Sequence, residues 1–304
     1  MVQSRTRRTS ERILKRVRRQ RVKTITILPS LITVINGVCG FTAIIFASRG
    51  GQSGIGQISN FALAGYVILL AMIADMLDGR LARISQSTSS FGGQLDSLCD
   101  MVSFGVAPAF LMLKVSESTL GSAGLDGYGM LRRFIWLAAA AYISCAAIRL
   151  ARFNVENERN ESAHMSFVGL PSPAAAGVIV SLVILYQVKA SSLSVIIIML
   201  PFISLGVAVL MVSRIRYPHI LNQYLSGKKP FAYLIRVLLF VGLVIWSMQA
   251  ALAILFCVFA ASSLVKWFYF RVVRGSDLLA FTSKQSTTEA TEHTGLNEKT
   301  LIKD

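Results

Sequence analysis

Charged residues are scarce in this 304-residue chain, at 15% of the total, and acids are scarcest of all, with 15 Asp and Glu against 31 Lys and Arg. A soluble domain carries about a quarter of its residues as charges, so a water-exposed globule is excluded. The three histidines are scattered and form no metal signature. The four cysteines, Cys39, Cys99, Cys145 and Cys257, all fall in apolar stretches without CxxC spacing, and they read as small buried hydrophobes. The polar–apolar alternation of a membrane β-barrel is missing. So is a small-residue cleavage pattern after the first apolar run, which argues against a cleaved signal peptide.

Apolar residues make up 54% of the chain, mean hydropathy is +0.59, and they come in solid runs of about twenty, the length that crosses a bilayer as a helix. An open sheet cannot satisfy its backbone in lipid. The expectation is an all-α, polytopic membrane helical bundle. Eight spans are read at roughly 27–48, 57–77, 92–113, 133–152, 168–188, 193–213, 234–249 and 251–270. The last two are nearly contiguous and read as a tight hairpin. The expected layout is a basic segment over 1–24, a membrane domain over 25–220, a C-terminal hairpin over 221–274 and a disordered tail over 275–304.

The net charge of +16 suits either nucleic acid or anionic lipid. Its distribution favours lipid, because the basic residues flank the apolar runs. Residues 1–24 hold Arg5, Arg7, Arg8, Arg12, Lys15, Arg16, Arg18, Arg19, Arg21 and Lys23. With this segment in the cytoplasm, the inner loops carry Arg80 and Arg83, Arg152 and Arg159, Arg214, Arg216, Lys228 and Lys229, then Arg271 and Arg274. The outer loops carry few, among them Arg49, Arg132, Arg133 and Lys189. An even span count with both termini inside satisfies the positive-inside rule throughout. The GQSGIG stretch at 51–56 resembles a phosphate loop only superficially, since it follows no strand, and it reads as an outer turn.

Four acids stand at membrane-embedded or interfacial positions: Asp75, Asp78, Asp96 and Asp100. A carboxylate at mid-bilayer costs on the order of 2.5–3.5 kcal/mol on insertion scales, so a cluster requires a compensating partner. Asp75 and Asp78 are three apart and Asp96 and Asp100 four apart, so each pair shares one helical face. A short turn from Arg80 to Phe91 brings the two helices side by side and lets all four carboxylates converge near the inner surface. Hard oxygen ligands suit Mg²⁺, Mn²⁺ or Ca²⁺ and suit zinc poorly. Four carboxylates can hold two such ions, and a two-ion site can clamp a pyrophosphate. Gly79, Ala82 and Gly92 lie on or beside the carboxylate face; small residues there serve a ligand or close helix packing equally well. Helix-end charges in water account easily for Asp78 but poorly for Asp96 and Asp100.

The run Asp75-Met-Leu-Asp78-Gly79-Arg-Leu-Ala82-Arg83, then eight residues, Gly92, three residues, Asp96, three residues and Asp100 resembles the complete signature of the CDP-alcohol phosphotransferases. The segments LPSLITVINGVCGF at 28–41, FGGQLDSLCDMVSFGVAPA at 91–109, IRLARFN at 148–154, GLPSPAAAG at 169–177 and MVSRIRYPH at 211–219 are similar to the bacterial membrane-embedded phosphatidylserine synthases of that family. The likeness covers about residues 25–220. Cys99 stands where those enzymes usually carry a small residue such as Ala, a mild departure.

The resemblance implies a homodimer with six core helices, the last two spans being peripheral. It implies a reaction in the bacterial inner membrane, at a site facing the cytoplasm, between CDP-diacylglycerol and L-serine. Asp75, Asp78 and Asp96 would bind two Mg²⁺ or Mn²⁺ ions, with Asp100 as further ligand and general base. Gly79, Ala82 and Arg83 would lie along the CDP moiety, with Ser89 and the Thr33–Asn36 stretch as weaker contacts.

Arg149 and Arg152, three apart near the inner end of the fourth span, suit the serine carboxylate or the lipid phosphate, because guanidinium grips such groups with two parallel bonds. The competing reading is that they snorkel to the interface. Other acceptors would leave other marks. Choline calls for aromatic rings around its cation, and glycerol phosphate or inositol phosphate calls for more basic residues. A cation-coupled transporter would need midplane charges and internal repeats, and the sequence contains neither.

Overall fold

The computed structural model describes residues 30–51, 58–85, 90–122, 129–159, 169–188, 194–213 and 247–262. Among these there is no strand. The helices are α1 (Ser30–Ser48), α2 (Asn60–Ser85), α3 (Ser90–Asp100), a π-helical segment (Met101–Val106), α4 (Ala107–Ser122), α5 (Gly129–Arg159), α6 (Ser172–Val188), α7 (Ser194–Val212) and α8 (Met248–Ser262). The chain divides into two units, Met1–Ala260 and Ala261–Asp304, and the helices below belong to the first, apart from the last two residues of α8.

Among the described residues, five helices are long and apolar enough to cross a membrane: Ser30–Ser48, Asn60–Leu81, Phe91–Gly121, Gly129–Val155 and Val195–Val212. Ser172–Val188 and Met248–Ser262 are apolar but shorter. This is a polytopic all-α membrane protein. Large apolar side chains such as Leu31, Phe41, Leu70, Trp136 and Phe202 are exposed on the helices, as expected where the solvent is lipid. Small residues in the interior let backbones approach between larger buried side chains such as Ile68, Leu111 and Tyr142. Ala64 and Ala71 of α2 and Ala175 and Ala176 of α6 are fully buried. A Cβ on Gly65 would stand 2.8 Å from Ile184 of α6, and the Phe256 ring of α8 lies on the backbone at Gly177.

Several helices outrun the spans read from hydropathy. α2 continues to Ser85, so Arg80 and Arg83 lie on its last turns and not in a loop. α5 runs from Gly129 to Arg159 and takes in Arg132, Arg133, Arg152 and Arg159, all expected in loops. At about 1.5 Å per residue its 31 residues exceed a hydrocarbon core of roughly 30 Å. Hydropathy marks where lipid ends; helices continue into the interface wherever good helix formers follow. The span expected at 92–113 is also interrupted: Met101–Val106 is a π segment, in which Ala107 N–H reaches back to the Val102 carbonyl. α8 begins at Met248, where the Ser247 hydroxyl caps it by accepting from Ala250 N–H at 3.4 Å, and the first helix of the expected hairpin lies outside the described residues up to 246.

The span at 234–249 up to residue 246, the basic segment 1–24, the tail from 275, nearly all of GQSGIG, Ser89, and Lys189, Arg214, Arg216, Lys228, Lys229, Arg271 and Arg274 lie outside the described residues.

Candidate active site

α2 and α3 carry the four carboxylates, and α1, α5 and α6 close around them. Asp75, Asp78 and Asp96 come together, with carboxylate oxygens from all three within 4.8 Å of one another. A divalent ion takes oxygen ligands at about 2.0–2.6 Å, so oxygens at this spacing can share one ion. Asp78 is the most enclosed of the four, at 4% exposure, which overturns its reading as a helix-end charge in water. It sits within α2 because that helix runs two turns beyond the expected end. The Thr33 side chain of α1 hydrogen-bonds it, while its Oδ2 is buried with no hydrogen-bond partner among the described residues. A buried anionic oxygen in that state is costly, and a hard cation would satisfy it. The donor set therefore fits a divalent metal.

Asp100 lies one helical turn beyond Asp96 and is 8% exposed. It has a different neighbour from the other three: its Oδ1 accepts a 2.9 Å hydrogen bond from Asn36 Nδ2. Asn36 is fully buried. Its backbone carbonyl accepts a hydrogen bond from Ser103 Oγ at 2.8 Å. The π segment begins at the residue after Asp100, and its Phe104 carbonyl is held by the buried Tyr142 hydroxyl at 3.0 Å. π turns often mark functional sites because they shift the facing of the residues on either side.

Arg149 of α5 brings positive charge to the cluster, acting electrostatically on Asp75 and Asp100. Its Nη1 donates to Ser172 Oγ at 2.7 Å, and its Nε is buried with no hydrogen-bond partner among the described residues. Arg152 is half-buried one turn further on. On the facing helix, Ser97 Oγ donates to Asn154 Oδ1 at 3.0 Å and ties α3 to α5 beside the cluster. Gly79 is exposed, with no atom of the described residues within 4 Å of the position a Cβ would take. Among the described residues, then, its small size is not required by helix packing. Ala82 and Arg83 are on the same helix, with side chains outside the described residues, and Gly92 opens α3.

Ser172, Ser103, Tyr142 and Asn154 were not singled out from the sequence. All but Tyr142 lie in segments that carried the family likeness, but nothing in their type or spacing marked them. Cys99, the departure from that likeness, packs with its sulfur 3.0 Å from where a Cβ of Gly37 would stand.

Comparison with known proteins agrees with this geometry. The family model for CDP-alcohol phosphatidyltransferase matches residues 26–212. The CDP-diacylglycerol–serine O-phosphatidyltransferase of Helicobacter pylori (strain ATCC 700392 / 26695) is 32% identical over 249 residues, which cover 81% of this chain and 93% of that protein. The protein of the same name from Bacillus subtilis (strain 168) is 32% identical over 192 residues, 63% of this chain and 90% of its own length. That of Methanocaldococcus jannaschii is 30% identical over 205 residues, covering 66% of this chain and 79% of its own.

Proposed function

The chain belongs to the CDP-alcohol phosphatidyltransferase family, and from that premise we propose that it transfers the phosphatidyl group of CDP-diacylglycerol to the hydroxyl of L-serine, releasing CMP. The observation that carries the reading is the meeting of Asp75, Asp78 and Asp96 oxygens within 4.8 Å beside Arg149 and the Asn36-bound Asp100. Such a site is rich in oxygen ligands and open towards Gly79. It suits a pyrophosphate bridged by cations and an acceptor that brings both a hydroxyl and a carboxylate.

Asp75, Asp78 and Asp96 would hold Mg²⁺ or Mn²⁺, two ions per site, with Asp100 as a further ligand. The ions supply charge neutralisation of the pyrophosphate. Gly79 leaves room for the CDP moiety along α2, with Ala82, Arg83, Ser89 and Thr33 as its further contacts. A serine hydroxyl is a weak acid and a poor nucleophile, so it needs a positioned base. Asp100 accepts its proton as the oxygen attacks the lipid-side phosphorus. The bond from that phosphorus to CMP breaks, and phosphatidylserine forms. Arg149, with Arg152 beside it, receives the serine carboxylate, for which guanidinium offers a matching planar fork.

The basic flanks of the apolar helices support a bacterial cytoplasmic membrane with the site facing the cytoplasm. The family likeness supports a homodimer. The test is the full-length chain in detergent with radiolabelled serine and CDP-diacylglycerol. The reading requires labelled lipid and CMP in equal amounts, and Asp96→Asn should abolish both.

A further inference from the structure

We infer that Asn36 is a positioning residue for Asp100, and that it acts on the chemical step and not on nucleotide binding. This rests on the reading of Asp100 as the base. Three contacts join α1 to the Asp100 turn. Asn36 Nδ2 donates to Asp100 Oδ1 at 2.9 Å. Ser103 Oγ, from the same helical run as Asp100, fixes the Asn36 backbone by donating to its carbonyl at 2.8 Å. Gly40, one turn along α1, lets the backbones meet: a Cβ there would lie 2.7 Å from Ser103 Cα and 2.9 Å from its nitrogen. Helix α1 is thus clamped to the Asp100 turn at the Asn36 side-chain nitrogen, at the Asn36 carbonyl and at Gly40.

The chemistry of the pair gives it a direction. A carboxylate offers only acceptors, while a carboxamide offers both a donor and an acceptor. Turning the Asn36 amide would set its oxygen against Asp100 Oδ1, so only the donor can face an ionised Asp100. One carboxylate oxygen is thereby tethered, and the rotamer that aims the second at the incoming hydroxyl is held. Asn36 is fully buried, so in this conformation substrate does not reach it. This departs from its expected role as a contact for CDP. A base displaced by even an ångström loses much of its effect, so the tether should show in turnover.

The experiment compares wild-type full-length protein with Asn36→Leu, Asp100→Asn and the double variant, measuring kcat and KM for both substrates and CDP-diacylglycerol affinity by titration. Asn36→Leu should lower kcat by about tenfold or more, with CDP-diacylglycerol affinity within about twofold. The double variant should be no slower than Asp100→Asn alone, because residues acting as one unit are not additive. A weakened CDP-diacylglycerol affinity at unchanged kcat would overturn the inference and return Asn36 to the nucleotide. Losses that multiply in the double variant would overturn it too. If Asp100→Asn itself turns over normally while Asp96→Asn is dead, the base assignment has failed and the inference falls with it. Should Asn36→Leu fail to fold, Ser103→Ala removes the clamp on the Asn36 carbonyl and should lower kcat in the same direction, by less; unchanged kcat there would count against the clamp.

Discussion

Arg149 Nη1 donates a 2.7 Å hydrogen bond to Ser172 Oγ, linking the C-terminal half of α5 to the first turn of α6. Ser172 is itself held in place from α7. Gly169 adopts φ +87°, and a Cβ there would collide with the Met211 carbonyl oxygen, while Leu170 N–H bonds the Leu210 carbonyl at 3.2 Å. Pro173, in the first turn of α6, needs no helical N–H partner there. The turn therefore presents Ser172 rigidly, and Ser172 fixes one arm of the guanidinium.

Arg149→Lys should raise the serine KM by roughly ten- to a hundredfold, the worth of a charge-assisted pair, and leave the CDP-diacylglycerol KM nearly unchanged. Ser172→Ala should act in the same direction, by about two- to tenfold, the worth of one ordinary hydrogen bond. Steady-state kinetics with each substrate varied in turn checks both. If both substrates weaken together, Arg149 holds phosphate. If neither Arg149→Lys nor Arg152→Lys has an effect, the pair only anchors the helix at the interface.

Removal of divalent ions should abolish activity, and Mg²⁺ or Mn²⁺ should restore it. Asp78→Asn should weaken Mn²⁺ binding, read by paramagnetic resonance on the purified protein independently of turnover. Full activity in EDTA would contradict the reading of the Asp75, Asp78 and Asp96 cluster.

Two glycines should separate packing from function. Gly40→Ala places a methyl against Ser103 and should destabilise the protein by about 1–3 kcal/mol, as overpacking does, visible as a lower unfolding temperature in detergent. Gly79→Ala meets no atom of the described residues within 4 Å and should leave that temperature unchanged while raising the CDP-diacylglycerol KM. A destabilised Gly79→Ala would show that the glycine serves packing.

The all-α membrane character and the acidic cluster were legible because both rest on what lipid forbids. Apolar runs of span length have few other uses, and Asp96 within such a run demands a reason. The grouping was read less finely. Spacing placed Asp96 and Asp100 on one face, but α1 approaches that face and gives Asp100 to Asn36 while Asp96 joins Asp75 and Asp78. A partner 64 residues away leaves no mark in local periodicity. The same holds for Ser172, 23 residues from Arg149. The π segment was illegible for a different reason: Met101–Val106 has the composition of ordinary apolar helix, and its extra residue per turn is stabilised by tertiary contacts such as Tyr142 to Phe104.

The most direct test is an acceptor panel: purified full-length chain in detergent with CDP-diacylglycerol and Mg²⁺ or Mn²⁺, offered serine, glycerol 3-phosphate, inositol, inositol phosphate or choline in turn, with CMP and lipid product both measured. The account predicts CMP release with serine, matched mole for mole by phosphatidylserine, and background with the others. CMP release that depends on a different acceptor, or none with serine, would contradict it.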